Sequence, residues 1–285
     1  MFKFARRVVE RAIIQADTRA QRALRSLNNI NSGQSVFLVG SAPSLKLLPY
    51  EQLPIQNVSY MVVNNGVRLF KDWIIPFHVV SDIDCFRDYS ADWSDLKIRT
   101  AFYRKRFYSV TPQEEDLPYD IHWVPYRNGG ILKRGFQPQM NLGIGNDSSV
   151  ISFAVQICYF LGFQNVFIIG CDLDINYNYS YAYEMSDTDR QHESLPETQA
   201  KRASLPRTND EFRVIRAQFE AVGRGIFNCG VGGNLTSIPR MDFSRALSIS
   251  LQTAQPRREL SGGRPFGADS RDWSYHTSVF QYRDE

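Results

Sequence analysis

The chain has 285 residues, of which 43% are apolar and 22% charged, and a net charge of +3. That length builds a sizeable core within one domain. No stretch reaches the roughly 18 consecutive apolar residues of a membrane-spanning helix, and the N-terminus lacks the apolar region of a signal peptide. The expectation is a cytoplasmic protein with no nucleic-acid partner. Cys85, Cys158, Cys171 and Cys229 form no CxxC pair, and His78, His122, His192 and His276 show no HxH or HxxxH spacing. Reduced thiols are expected, and a zinc site is not.

In chain order, residues 3–28 predict one helix, because Phe4, Val8, Ala12, Ile13 and Ala16 recur at helical steps. Residues 1–31 carry Lys3, Arg6, Arg7, Arg11, Arg19, Arg22 and Arg25 against Glu10 and Asp17, an excess of five positive charges. Such an arm suits packing on the domain, pairing with a second copy in a homo-oligomer, or peripheral attachment to an anionic membrane. Asn28 to Gly33 is turn chemistry and closes the arm, 1–33. Unbroken apolar runs follow at Ser35 to Gly40, Tyr60 to Val63, Phe77 to Ser81, Ile98 to Phe102, Ile121 to Val124, Val166 to Gly170 and Ile226 to Cys229. Such runs suit parallel strands buried on both faces. Helical patterns lie between them, clearest at Ser149 to Leu161 and Glu211 to Val222. The predicted fold class is α/β: a Rossmann-like, mostly parallel sheet with helices on both faces over 34–254, plus the N-terminal helical arm. Residues 185–210 lack apolar periodicity and predict a lid-like loop; residues 255–285 predict a C-terminal extension.

Five constellations could carry chemistry. Gly40-Ser41-Ala42-Pro43-Ser44 follows the first strand, where small residues, backbone N–H groups and two hydroxyls suit a phosphate; a plain tight turn capped by Ser44 is the bland alternative. Asn64 and Asn65 end the second strand, and each amide offers a donor and an acceptor to a base or ribose, or else forms an ordinary turn. Asp82 and Asp84 form a DxD pair after the third strand. The pair could hold a divalent cation such as Mg²⁺ or Mn²⁺, contact ligand directly, or cap a helix. Ser148 and Ser149 start an apolar helix, as a second anion-ready terminus or as a cap. Asp172 and Asp174 follow the Val166 strand and precede Tyr177, Tyr179, Tyr181 and Tyr183. A carboxylate there could act as base or tie down loop N–H groups.

The order of these motifs, G-x-x-P-S-L after an apolar strand, an Asn at the second strand end, a Ser-rich helix start ending in Leu-Gly-Phe, and G-x-D-L, resembles the 6-hydroxymethylpterin pyrophosphokinase family. The likeness is to its bacterial branch, associated with surface-polysaccharide and flagellin glycosylation. It is also similar to the Campylobacter-type sialyltransferases, which use CMP-sialic acid. The resemblance covers roughly 35–247, including Ile226-Phe-Asn-Cys-Gly-Val-Gly-Gly-Asn-Leu. It implies a glycosyltransferase with a nucleotide-sugar donor, most specifically a CMP-linked acidic sugar, and a glycan or protein acceptor. Gly40, Ser41, Ser44 and Asn65 would lie on the nucleotide, Ser148 and Ser149 near its phosphate or ribose, and Tyr181 on the departing phosphate. One phosphate-binding tyrosine of that family is replaced by Asp174. Its catalytic histidine has no counterpart, with Arg207 and Thr208 in that region, so Asp174, Asp172 or His192 would serve as base, or the acceptor would be activated differently. The alternatives are a diphosphokinase with Mg²⁺ on Asp82, Asp84 or Asp172, and a non-catalytic nucleotide-sugar-binding protein.

Overall fold

The structure, a computed structural model, describes residues 21–104, 119–145, 148–174 and 180–253. Seven strands form one sheet: β1 (Ser35–Val39), β2 (Tyr60–Val63), β3 (Ile75–Val80), β4 (Ile98–Arg104), β5 (Asp120–Val124), β6 (Asn165–Ile169) and β7 (Gly225–Asn228). Their order is β5-β4-β3-β2-β1-β6-β7, and every pairing is parallel. This is a Rossmann-like α/β fold, and the seven strands coincide with the seven apolar runs.

The runs are unbroken because the sheet is covered on both sides. Along β1, Val36 and Leu38 enter one core with the helix α2 (Val150–Leu161), while Phe37 and Val39 enter the opposite core with Phe243, Ala246 and Leu247. No face of a central strand meets water, so no polar alternation is needed. Ser149 caps α2 by accepting the Ile151 N–H at 3.2 Å. A shorter helix, α1 (Ile83–Tyr89), follows β3 and lies on the second face.

Most of the predicted basic arm, residues 1–20, lies outside the described residues, as does the extension from 254 onward. The end of the arm belongs to the domain. Residues 21–26 are helical, Leu24 and Leu27 are buried in the α2 core, and the Asn29 and Asn31 N–H groups donate to the Phe160 and Leu161 carbonyls at 3.0 and 2.9 Å. Burying each leucine stabilises by roughly 1.5–3 kcal/mol, so the domain boundary lies N-terminal to residue 34.

The lid-like loop expected at 185–210 is helical instead. It forms α3 (Asp187–Ser194), α4 (Pro196–Ala203) and the first turn of α5 (Thr208–Ala221), which starts before the predicted Glu211. Apolar periodicity misses these helices because polar contacts hold them. Ser186 and Asp189 form a capping box, and Asp189, Thr198 and Arg202 are the buried residues of α3 and α4. A final helix, α6 (Phe243–Thr253), packs against β1 on the second face.

Candidate functional site

Strands β1, β2, β3 and β6 end at one sheet edge. Chain order reverses between β1 and β6, where a ligand crevice opens in sheets of this type. A cleft of about 640 Å³ lies there, lined by Gly40, Ser41, Asn64, Asn65, Asp82 and Asp84 from the strand ends. Ser148, Ser149, Asp172, Asp174, Tyr181 and His192 join the same wall. Among the described residues, the candidate site residues named from sequence thus converge on one space, except Pro43 and Ser44, which do not line it.

The cleft floor is the meeting of β1 with β6. The Gly40 N–H donates to Ile169 O at 2.9 Å and the Ala42 N–H to Gly170 O at 3.0 Å. A Cβ on Gly40 would overlap the Gly170 carbonyl oxygen and lie 2.9 Å from its carbon. The neighbouring strand end therefore demands glycine at position 40 independently of any ligand, while Gly40 still lines the cleft. Pro43 opens a five-residue 3₁₀ turn, Pro43–Leu47. Ser44, expected on the phosphate, spends both its donors within the protein: its N–H reaches Asp172 Oδ2 at 3.1 Å and its hydroxyl donates to Asp172 Oδ1. Asp172 thus ties the turn after β1 to the turn after β6.

Leu173 has φ +51°, unusual for a branched residue, and is buried. The loop after β7 holds this bend, with the Asn234 N–H donating to Asp172 O at 2.7 Å and its side-chain amide to Leu173 O at 3.4 Å. The bend separates the two carboxylates. Asp172 turns to Ser44, whereas Asp174 is exposed on the cleft wall.

The second strand end distinguishes its two asparagines. Asn65 is buried and its Oδ1 accepts the Trp93 indole N–H at 3.2 Å, a structural bond at the residue expected on the nucleotide. Asn64, half-buried with φ +46°, lines the cleft, and its Oδ1 is buried with no hydrogen-bond partner among the described residues. A buried acceptor left unmet costs about 1–3 kcal/mol, and a ligand N–H or O–H would meet this one once the side chain turns toward the cleft.

Asp82 and Asp84 face a lysine. Asp82 caps α1 by accepting the Asp84 N–H at 2.9 Å, and the Lys201 ammonium lies 3.1 Å from Asp82 and 2.9 Å from Asp84. The hydrogen bond from Lys201 holds the Asp84 carboxyl below its usual range, against the opposing effect of burial. The donor set does not fit Mg²⁺ or Mn²⁺ as it stands, because a cation already bridges the two oxygens. Among the described residues no three His, Cys, Asp or Glu gather as ligands.

At the helix start, Ser148 Oγ is engaged with Thr208 at 2.8 Å and with the buried Glu211 at 2.8 Å, and Ser149 spends its oxygen on the α2 cap. Asn146, Asp147 and the aromatic loop at 175–179 lie outside the described residues.

Helices α3 and α4 roof the cleft. Asp189 accepts from Arg68 at 2.7 Å and from the Ser186 hydroxyl and N–H, each at 2.8 Å. Arg68 also sits 5.0 Å from the Tyr89 ring centre and 5.4 Å from that of Tyr183. Tyr181, expected on a departing phosphate, stacks on Tyr183 at 4.9 Å and donates to Glu193, which also takes Arg202. Burial and then Glu193 push the Tyr181 phenol far up, so it stays protonated. His192 lines the cleft from α3, and Arg104 lines it with its guanidinium carbon 3.4 Å from the Tyr126 ring centre. Sequence reasoning missed Lys201, Glu193, Arg202, Asp189 and Arg68. Only the Ser186–Asp189 capping pattern signalled any of them.

The four cysteines are free, three of them buried. Cys171 lines the cleft, but burial and then Asp172 raise its thiol to about 12, which makes it a poor nucleophile. Comparison of the chain with protein-family models, with curated proteins and with solved structures gives no match.

Proposed function

We propose that the chain is a glycosyltransferase acting on a nucleotide-activated sugar. The donor is a CMP-linked acidic sugar and the acceptor a hydroxyl of a glycan or protein, in surface-polysaccharide or protein glycosylation. The observation that carries this reading is the composition of the cleft at the β1/β6 switch point. Its lining includes Asn64, whose amide oxygen meets no donor among the described residues, and also Asp174, His192 and Lys201. The first suits the cytosine amino group or a ribose hydroxyl, and the other three suit proton transfer beside a departing phosphate.

In the transfer, the acceptor oxygen bonds to the anomeric carbon as the bond from that carbon to the phosphate oxygen breaks. The acceptor proton passes to Asp174, exposed on the cleft wall, and the nucleoside monophosphate leaves with the electron pair. Lys201 supplies positive charge to the leaving group. Asp172, engaged with Ser44, holds the floor. Within this reading the protein works in the cytoplasm, with the basic arm at the inner face of a membrane; among the described residues no helix is long and apolar enough to cross one.

A thermal-shift panel of CMP, UDP, GDP and ATP, with and without Mg²⁺, tests it. CMP is expected to raise Tm without Mg²⁺, and a CMP-linked sugar to release CMP in the presence of acceptor. Asp174→Asn is expected to keep the CMP shift and lose kcat. Stabilisation confined to ATP with Mg²⁺, with AMP release, would establish the diphosphokinase alternative. A CMP shift with no turnover on any donor would make the chain a binding protein.

A further inference from the structure

We propose that His78 is a positioning residue: from inside the sheet it holds the left-handed turn at Asn64 and so aims the Asn64 carboxamide at the nucleoside of the donor. The inference rests on the donor-site reading above and adds to it the residue that prepares the wall.

His78 is fully buried in β3, between the rings of Trp93 and Tyr103 at 4.8 and 5.5 Å. Its Nε2 lies 3.1 Å from the Asn64 carbonyl oxygen and its Nδ1 lies 3.1 Å from the Tyr103 hydroxyl, which lies 3.0 Å from that of Tyr119. A carbonyl only accepts, so Nε2 carries the proton and donates to it. Nδ1 is then an acceptor, which orders the chain as Tyr119 to Tyr103 to His78 to Asn64. Burial holds the imidazole neutral, which keeps this direction.

The chain ends on the backbone of a residue whose φ is +46°. A non-glycine residue in that region persists where its surroundings over-determine it. Two neighbouring contacts do so here: His78 on the Asn64 carbonyl and Trp93 on the Asn65 side chain. Both end on the turn, and neither uses the Asn64 carboxamide.

The test measures CMP affinity by calorimetry in His78→Leu, His78→Gln, Asn64→Ala and the Leu–Ala double variant. His78→Leu is expected to weaken binding at least tenfold, and His78→Gln, whose amide N–H can reach the same carbonyl, to restore it to within about threefold. The double variant should bind no more weakly than Asn64→Ala, because the histidine acts through that side chain. If His78→Leu does not fold, His78→Asn, too short to reach the carbonyl, is expected to lose affinity that His78→Gln keeps. Equal affinities for these two variants, an unchanged His78→Leu, or additive losses overturn the role. Nitrogen NMR of the imidazole provides a readout that needs no ligand. The Nε2–H tautomer is expected from pH 5 to 8, and a titrating or Nδ1–H ring overturns the role by itself. Wild-type protein that binds no nucleotide overturns the donor-site reading and this role together, whereas wild-type binding with an indifferent His78 overturns the role alone.

Discussion

At the floor of the cleft, β1 and β6 meet backbone to backbone, and the residues behind them are apolar and fully buried on both faces of the sheet. Over the same cleft, α3 and α4 are held by Arg68 on Asp189, Lys201 on Asp82 and Asp84, and Arg202 on Glu193. The first arrangement depends on apolar burial and close packing, which salt leaves nearly untouched. The second depends on paired charges: the Lys201 pairs are half-exposed and screened by salt, whereas Asp189 and the Arg202–Glu193 pair are nearly buried and depend on keeping both partners. A close-packed floor keeps Asn64 and the Asp172–Asp174 bend in place, while the roof above them is held chiefly by polar and ionic pairs.

The largest test of that contrast is Gly40→Ala. The added Cβ overlaps the Gly170 carbonyl, a backbone atom that cannot swing aside, so the expected cost is roughly 3 kcal/mol of global stability. It would be read as a lowered urea midpoint. A near-native midpoint would show that the floor yields and would break the comparison.

Asp189→Ala addresses the roof. It leaves Arg68 paired with the exposed Asp92 at 3.2 Å and opens the capping box, at a cost of roughly 2–3 kcal/mol, below a fully buried pair because Arg68 is partly exposed. The loss should be local. Hydrogen exchange is expected to rise across 187–203 and stay native in β1 and β6, and uniform acceleration would mean that roof and floor unfold as one unit.

Acid tests the support beneath Asn64. Burial lowers the His78 pKa to about 3, so between that value and its ordinary 6.5 the unfolded chain binds a proton that the folded chain refuses. Stability from this group is complete above pH 6.5 and declines as pH falls below it, by roughly 2 kcal/mol at pH 5. His122, whose pKa burial lowers to about 4, adds the same sign. The difference between wild type and His78→Gln isolates His78: wild type should lose more stability than the variant from pH 7.5 to 5, and parallel losses would refute the assignment.

The smallest effect belongs to Lys201→Met. Its ion pairs are half-exposed, so stability should change by less than about 1 kcal/mol. Asp84 should titrate at higher pH once the ammonium is gone, and Mn²⁺ should stabilise the variant more than wild type. Equal Mn²⁺ shifts in both would show that Lys201 does not occupy the cation's place.

The legibility of these regions differs for the same reason. The strands were readable because a doubly covered strand such as β1 or β2 is apolar at nearly every position, a signal local to a few residues. Ser149 as a helix cap was readable for the same local reason. Which of Asn64 and Asn65 is engaged within the protein was not, because what separates them is Trp93, 28 residues from Asn65, and His78 in the next strand. Asp82 and Asp84 looked like a cation site because the residue that meets them is more than 110 positions distant.

The sequence by itself determined the parallel sheet, the edge at which its strands end, and hence the gathering of Gly40, Asn64, Asp82 and Asp172. Hydrophobic periodicity and turn chemistry act over a few residues and fix topology. Which of those side chains face the cleft and which are engaged within the protein was decided by tertiary structure alone. Ser44 is taken by Asp172, Asn65 by Trp93, Tyr181 by Glu193 and the DxD pair by Lys201. A buried polar group takes whatever partner the fold brings within about 3 Å, and no spacing along the chain encodes that meeting.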